Sequence, residues 1–329
     1  MKELYLHVGP HKTATTYVQK ILHANRDRLA KSGIEYPEQF FLYNGHHLLY
    51  DEIRTDSRSE VYLSNIRALN SLSSNLIISS ERLWNLSPTR LASVISDFDE
   101  FRVIIIYSYR TPTIRFFSEW QENIKHGSCD SFLEDCGKAY RKPFASDRLN
   151  PLPKLEEYAR LFGLENIRIL DYEAGLRTGT TVNSFLNAIG SDADVDELNE
   201  ITNPSLPTHI IEIVRALNSI HAGIGKRSTS EVREKFFLMQ SEFRAEVRLL
   251  KNIMSGSPGQ IVNLGNTFVD TYVYNNIRAR FGALVQGNQL TKPFTLERTI
   301  QDPSWIWGQM GGEDAIGILR KMYSQLMTQ

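Results

Sequence analysis

The sequence predicts an α/β fold, a mostly parallel central sheet flanked by helices, followed by a helical C-terminal section. Three observations point there. Short apolar runs recur at 4–8, 76–79, 103–107 and 167–172. Segments with helical spacing of apolar residues lie between them, the alternation that builds parallel sheets with helices on both faces. The loops after two of the runs are rich in cationic and hydroxyl residues, and sheets of this kind bind ligands beyond the carboxyl ends of their strands.

The elements follow in order. Leu4-Tyr5-Leu6-His7-Val8 reads as the first strand and runs into a loop, Gly9 to Thr16. Tyr17, Ile21, Leu22 and Leu29 then keep helical spacing over 16–31, and Gly33 stops the helix. Ile34-Glu35-Tyr36 before Pro37 is a short second strand, and Leu76-Ile77-Ile78-Ser79 a third. Val103-Ile104-Ile105-Ile106-Tyr107 is an almost unbroken β-branched run, as in a strand covered on both faces. A helix beginning near Pro112 follows, proline being favoured in a first turn. The fifth strand, 167–172, lies between helices over 155–162 and 181–189.

From about 205 the strand pattern fades. Ile210, Ile211, Val214, Leu217 and Ile220 share one helical face, Gly223-Ile224-Gly225-Lys226-Arg227-Ser228 interrupts it, and helical spacing resumes over 232–254. The tail holds Pro293, Trp305, Trp307 and an amphipathic stretch over 316–326. This divides the chain into an α/β core over 1–200, a helical extension over 201–290 packed on it, and a C-terminal segment over 291–329 that returns to the core. The extension reads equally as a substrate-side cap or as a solvated hairpin.

The Gly9–Thr16 loop has the chemistry of a phosphate cradle. The first N–H groups of a helix lack partners within it and lie at the positive end of its dipole. Thr15 and Thr16 add hydroxyls and Lys12 adds a mobile cation. The nucleotide-triphosphatase loop places its lysine directly after a second glycine. Here Lys12 comes three residues after Gly9, and Ala14 stands where a second glycine is expected. Pro10-His11-Lys12-Thr13-Ala14-Thr15-Thr16 instead resembles the 5′-phosphosulfate loop of the sulfotransferases, P-x-K-[ST]-G-[ST]-[ST]. Ala14 in the glycine position is a departure, tolerated at a negative φ and unfavourable at a positive one.

A second motif is independent of the first. Arg110 ends the fourth strand and Ser118 lies eight residues on, two turns into the next helix. This resembles the sulfotransferase 3′-phosphate signature, and the planar fork of arginine suits a bidentate bond to phosphate. Tyr172-Glu173 also resembles a pair common in that family. The match extends over roughly the first 190 residues and looks more like bacterial and glycan-directed enzymes than like cytosolic phenol enzymes, whose C-terminal R-K-G motif is missing.

The resemblance implies a P-loop-like sulfotransferase fold and transfer of a sulfuryl group from 3′-phosphoadenosine-5′-phosphosulfate (PAPS) to an acceptor hydroxyl or amine. Adenosine 3′,5′-bisphosphate is the product. It assigns Pro10, His11, Lys12, Thr13, Ala14, Thr15 and Thr16 to the 5′-phosphate, Arg110 and Ser118 to the 3′-phosphate, and Lys12 to the charge on the leaving phosphate. For the base, Glu81 in Ser79-Ser80-Glu81-Arg82 is the first choice, with His47 and His46 as alternatives, because neutral imidazole needs no tuning near neutral pH.

The acceptor is expected to be a glycan or small molecule. Trp84, Trp120, Tyr43 and His47 are candidates for a stacking surface, and Lys138, Arg141, Lys142 and Arg148 form a local basic stretch suited to an anionic glycan. Lysine and arginine total 37 against 38 acidic residues, so no global field directs the chain to nucleic acid or an anionic membrane. Cys129 and Cys136 match no zinc signature and read as reduced thiols; no metal is expected. The apolar run nearest the N-terminus has only strand length, too short for a secretory signal or a membrane span, so the expectation is a cytoplasmic protein without membrane insertion. Two other classes compete: a P-loop-type nucleotide kinase, with Thr13 after Lys12 on magnesium, and a non-catalytic nucleotide-binding protein.

Overall fold

The computed structural model describes residues 1–55, 58–196, 206–226, 230–286, 290–310 and 312–328. The chain forms two compact units that interleave along the sequence. The first combines Met1–Pro112, Asn150–Thr202 and Phe268–Pro293; the second combines Thr113–Leu149, Asn203–Thr267 and Phe294–Gln329. The units are made of alternating stretches of the chain, and the position expected to divide core from extension, 200/201, lies outside the described residues.

The first unit is built on a five-stranded sheet of β1 (Lys2–Gly9), β2 (Ile34–Glu35), β3 (Asn75–Ser79), β4 (Phe101–Tyr109) and β5 (Ile167–Asp171), in the order β2-β3-β1-β4-β5. All four pairings are parallel. This is the parallel sheet flanked by helices that the apolar runs predict. The chain passes from β1 to β2 at one edge, returns to β3 beside β1, and crosses to β4 and then β5 on the other side, so the connections leave β1 and β4 in opposite directions and the topological switch lies between them, where such sheets open a crevice. The β1–β4 register shifts between His7 and Gly9, at the end that carries the loop.

Tyr5, Ile77, Ile104 and Ile106 are buried together with Val18, Ile21 and Leu22 of the helix Thr15–Ala24 and with Phe185 and Leu186 of the helix Thr181–Ala188. Each fully buried aliphatic or aromatic side chain contributes roughly 1.5–3 kcal/mol to holding the strand ends in place.

Helical spacing over 16–31 becomes two helices, Thr15–Ala24 and Arg26–Lys31. Asn25 separates them: its side-chain amide donates to Ile21 O at 2.9 Å and to Asp196 O at 3.1 Å, and its φ of −107° leaves the helical range. Helices His47–Thr55 and Glu60–Asn70 lie between β2 and β3, and Pro88–Ile95 between β3 and β4.

The second unit holds the helices Thr208–Gly223, Glu231–Leu238, Arg244–Gly256 and Ala315–Thr328. The last packs against Thr208–Gly223 and Arg244–Gly256, which places the C-terminal segment with the helical section rather than with the sheet. Of the interruption expected at 223–228, Arg227 and Ser228 lie outside the described residues. This section is not purely helical: β6 (Gly259–Leu264) pairs antiparallel with β7 (Leu296–Gln301). Among the described residues no helix is long and apolar enough to cross a membrane.

Candidate active site

The carboxyl ends of β3, β1, β4 and β5 form one rim of the first unit. Gly9 ends β1 with a φ of +93°, and a Cβ there would lie 2.9 Å from both Cα and Cβ of Glu81. Only glycine allows the β1 loop to lie this close to the turn after β3. Lys12 and Ala14 then have φ of 68° and 57°, an alternation with Thr13 that aims successive N–H groups into one concavity. The helix Thr15–Ala24 begins directly behind, with Ala14 as N-cap and no side chain capping it. Its amino end therefore offers main-chain donors and the positive end of a dipole to an anion.

Two features of this loop differ from expectation. Ala14 does not meet the condition under which alanine replaces the glycine freely: its φ is 57°, and a left-handed alanine costs about 1–2 kcal/mol that glycine would avoid. The threonine hydroxyls also divide their work. Thr13 Oγ1 donates to Pro10 O at 2.7 Å and Thr15 Oγ1 to the same oxygen at 3.4 Å, both buried, so these two hydroxyls close the loop on itself. Thr16 and His11 are half-buried on the same turn.

On the β3 side, Glu81 opens a single 3₁₀ turn, Glu81–Asn85. Gln19 Nε2 donates to Glu81 Oε2 at 3.0 Å and to Ser79 Oγ at 3.1 Å. Ser79 Oγ pairs in turn with His7 Nδ1 at 2.9 Å, so a buried polar chain runs from the sheet interior to Glu81. Burial raises the Glu81 pKa, but the His47 and His11 imidazoles, its own backbone N–H and the Gln19 amide outweigh burial and hold it below the usual carboxylate range. Burial lowers the His47 pKa against the pull of Glu81. Its Nδ1 pairs with Ser80 Oγ at 2.8 Å.

His46 is held quite differently. The Ser79 N–H donates to its Nδ1 at 3.1 Å, so Nε2 carries the proton and donates to Pro37 O at 2.9 Å. Fully buried, its pKa is pushed down to about 4. Both nitrogens serve the fold, which removes His46 from the candidate bases.

On the β4–β5 side, Arg110 Nη1 donates to Lys12 O at 2.6 Å. The guanidinium lies 4.7 Å over the Tyr172 ring, and Nε is 3.9 Å from Glu173 Oε1. Glu173 is buried and accepts from Thr111 N at 3.1 Å. Burial pushes its pKa up to about 7, with Arg110 and the Thr111 N–H opposing and Asp171 adding to the rise.

Lys12, Thr13, Ala14, Thr15, Thr16, Glu81, His47 and Arg110 thus gather on the rim of the first unit. Ser118 belongs to the second unit, where its hydroxyl donates to Ile114 O at 3.2 Å within the helix Pro112–Lys125. The tryptophans expected to stack against an acceptor are core residues. Trp84 packs 4.8 Å from Tyr107, and Trp120, 1% exposed, donates to Asp130 O at 2.9 Å in the second unit. Tyr43 is exposed. In the basic stretch, Lys138 pairs with Asp130, and Arg148 with Glu119 and Asp135. Sequence reasoning passed over His7 and Gln19, whose only signal is a polar residue where strand or helix spacing calls for an apolar one.

No protein-family model matches the sequence, and no curated protein matches it. Among solved structures, the fold is similar to that of a crystal structure of a sulfotransferase from Alicyclobacillus acidocaldarius. The match has 16% identity and a TM-score of 0.41, and covers 71% of this chain and 99% of that one.

Proposed function

We propose that the protein is a PAPS-dependent sulfotransferase that moves a sulfuryl group onto a hydroxyl or amine of a glycan or small molecule. The observation that carries this reading is the 2.6 Å hydrogen bond from Arg110 to the Lys12 carbonyl. Two sequence motifs separated by nearly a hundred residues, each suited to a phosphate, meet on one rim beside an uncapped helix amino end. A doubly phosphorylated nucleotide is the ligand that needs both.

In the reaction, the acceptor oxygen or nitrogen forms a bond to sulfur while the bond from sulfur to the 5′-phosphate oxygen breaks, and adenosine 3′,5′-bisphosphate leaves. Loop N–H groups and Thr16 hold the 5′-phosphate, and Lys12 meets the charge that grows on it. Arg110 holds the 3′-phosphate; Ser118 is assigned to the same task by the sequence pattern alone. The acceptor proton passes to Glu81, ionised across the neutral range because its pKa is held low. His47, neutral at pH 7 because burial lowers its pKa, is the alternative base.

The test is transfer of labelled sulfate from PAPS to a panel of acceptors, alongside the thermal shift given by the bisphosphate and by ATP with magnesium. Only a ligand that prefers the folded state raises its stability. The proposal expects label transfer that Lys12→Ala abolishes and stabilisation by the bisphosphate without metal. Stabilisation by ATP with magnesium and not by the bisphosphate would overturn it in favour of a kinase.

A further inference from the structure

The second unit contains a cleft of about 590 Å³ lined by Phe237, Gln240, Ser241, Arg244, Val247, Arg248 and Lys251. Arg244, Arg248 and Lys251 follow one another four and three residues apart on the helix Arg244–Gly256, so they share one face. Along the axis they are spaced by about 6 Å and then about 4.5 Å. All three are exposed, and among the described residues none has a carboxylate within 4.0 Å. Glu246, the acidic residue of that helix's first turn, is turned to Lys321 at 3.9 Å. No side chain caps the helix, so its positive end adds to the field at Arg244.

The contrast with the basic stretch at 138–148 is sharp. There Lys138 and Arg148 are neutralised by Asp130, Glu119 and Asp135. The ladder at 244–251 keeps its charge and presents it into a concavity whose wall includes a half-buried aromatic ring, Phe237, and a half-buried Val247. Gln240 and Ser241 supply an amide and a hydroxyl.

We infer that this cleft binds an acidic oligosaccharide, a linear chain whose sulfate or carboxylate groups meet the three cations in turn. Repeating charge on the ligand matches the ladder, the apolar face of a pyranose matches Phe237 and Val247, and hydroxyls match Gln240 and Ser241. Three cations over about 10 Å of one helix are too few for duplex DNA, which wins affinity by neutralising many phosphates along its groove.

The inference is independent of the transfer chemistry and is tested by binding alone. A fluorescently labelled, sulfated glucosamine–uronate hexasaccharide is titrated into the full chain by anisotropy at several salt concentrations. Variants are Arg244→Ala, Arg248→Ala, Lys251→Ala and, as control for general surface charge, Lys31→Ala, exposed at the end of the helix Arg26–Lys31. Each ladder variant should weaken binding roughly 3- to 10-fold and lower the salt slope by about one, with unchanged thermal stability, and the control should bind as wild type. Equal losses in the control, tighter binding of duplex DNA, a polyglutamate peptide or phosphatidylserine vesicles, or displacement of the hexasaccharide by equimolar inorganic sulfate would each overturn it.

Discussion

The two sides of the rim each hold a buried carboxylate beside a basic group, yet their acidities move in opposite directions. Glu81, at the end of β3, is held below the ordinary range; Glu173, after β5, is raised to about 7. Both lose solvation. Glu81 recovers it from a Gln19 amide at 3.0 Å, a backbone N–H and two imidazoles. Glu173 has an arginine 3.9 Å away, too far for a hydrogen bond, the Thr111 N–H and its own N–H, while Asp171 repels it. At Glu81 two imidazoles and two close donors together outweigh burial, whereas at Glu173 one distant guanidinium and two N–H groups do not. The side proposed for catalysis thus keeps a ready base, and the side proposed for phosphate keeps an acid that can shed its charge.

The most severe way to break this comparison is Glu81→Gln, which keeps shape and removes the base. It should lower kcat about 10²- to 10⁴-fold with little change in bisphosphate affinity. Full activity in that variant, with loss in His47→Ala, would move the base to the imidazole.

Glu173→Gln sharpens the other half through pH. Between the unfolded carboxyl pKa and about 7, Glu173 binds more protons in the folded state than in the unfolded one, so its own contribution to stability falls as pH rises across that window, while buried His7 and His46, with pKa pushed down to about 4, contribute in the opposite direction. The loss is of the order of 3 kcal/mol at most, and it should vanish in Glu173→Gln. Wild-type and Glu173→Gln melting curves that run parallel between pH 5 and pH 7 would contradict the assignment.

The smallest effect concerns the loop that joins the two sides. Ala14→Gly relieves a left-handed alanine at φ 57° and should change stability by only about 1 kcal/mol, offset in part by the entropy glycine adds to the unfolded chain. Thermal unfolding should show an unchanged or slightly higher midpoint, with the pH responses of both carboxylates intact.

Much of the first unit was legible because burial on both faces writes itself as unbroken apolar runs. β1, β3, β4 and β5 all fall on such runs, and Ala315–Thr328 on an amphipathic one. Strand order was not legible, since parallel neighbours come from distant segments. The β6–β7 ribbon was missed for a related reason: Gly259–Leu264 is largely exposed and is a strand only because it pairs with Leu296–Gln301. At the site, Lys12, Arg110 and Glu81 were readable from spacing. The inward turn of Thr13 and Thr15, the sealing of His46 and the Gln19 bridge depend on which neighbour each polar atom meets, and no local pattern records that.

The central claim, that the Lys12 turn and Arg110 form one nucleotide grip, is tested most directly by calorimetric titration of adenosine 3′,5′-bisphosphate into wild type, Lys12→Ala and Arg110→Ala. The account predicts one molecule bound per chain without metal, with each variant weakened by about 1.5–3 kcal/mol, the usual worth of a hydrogen bond to a charged group. Full affinity in either variant would contradict it.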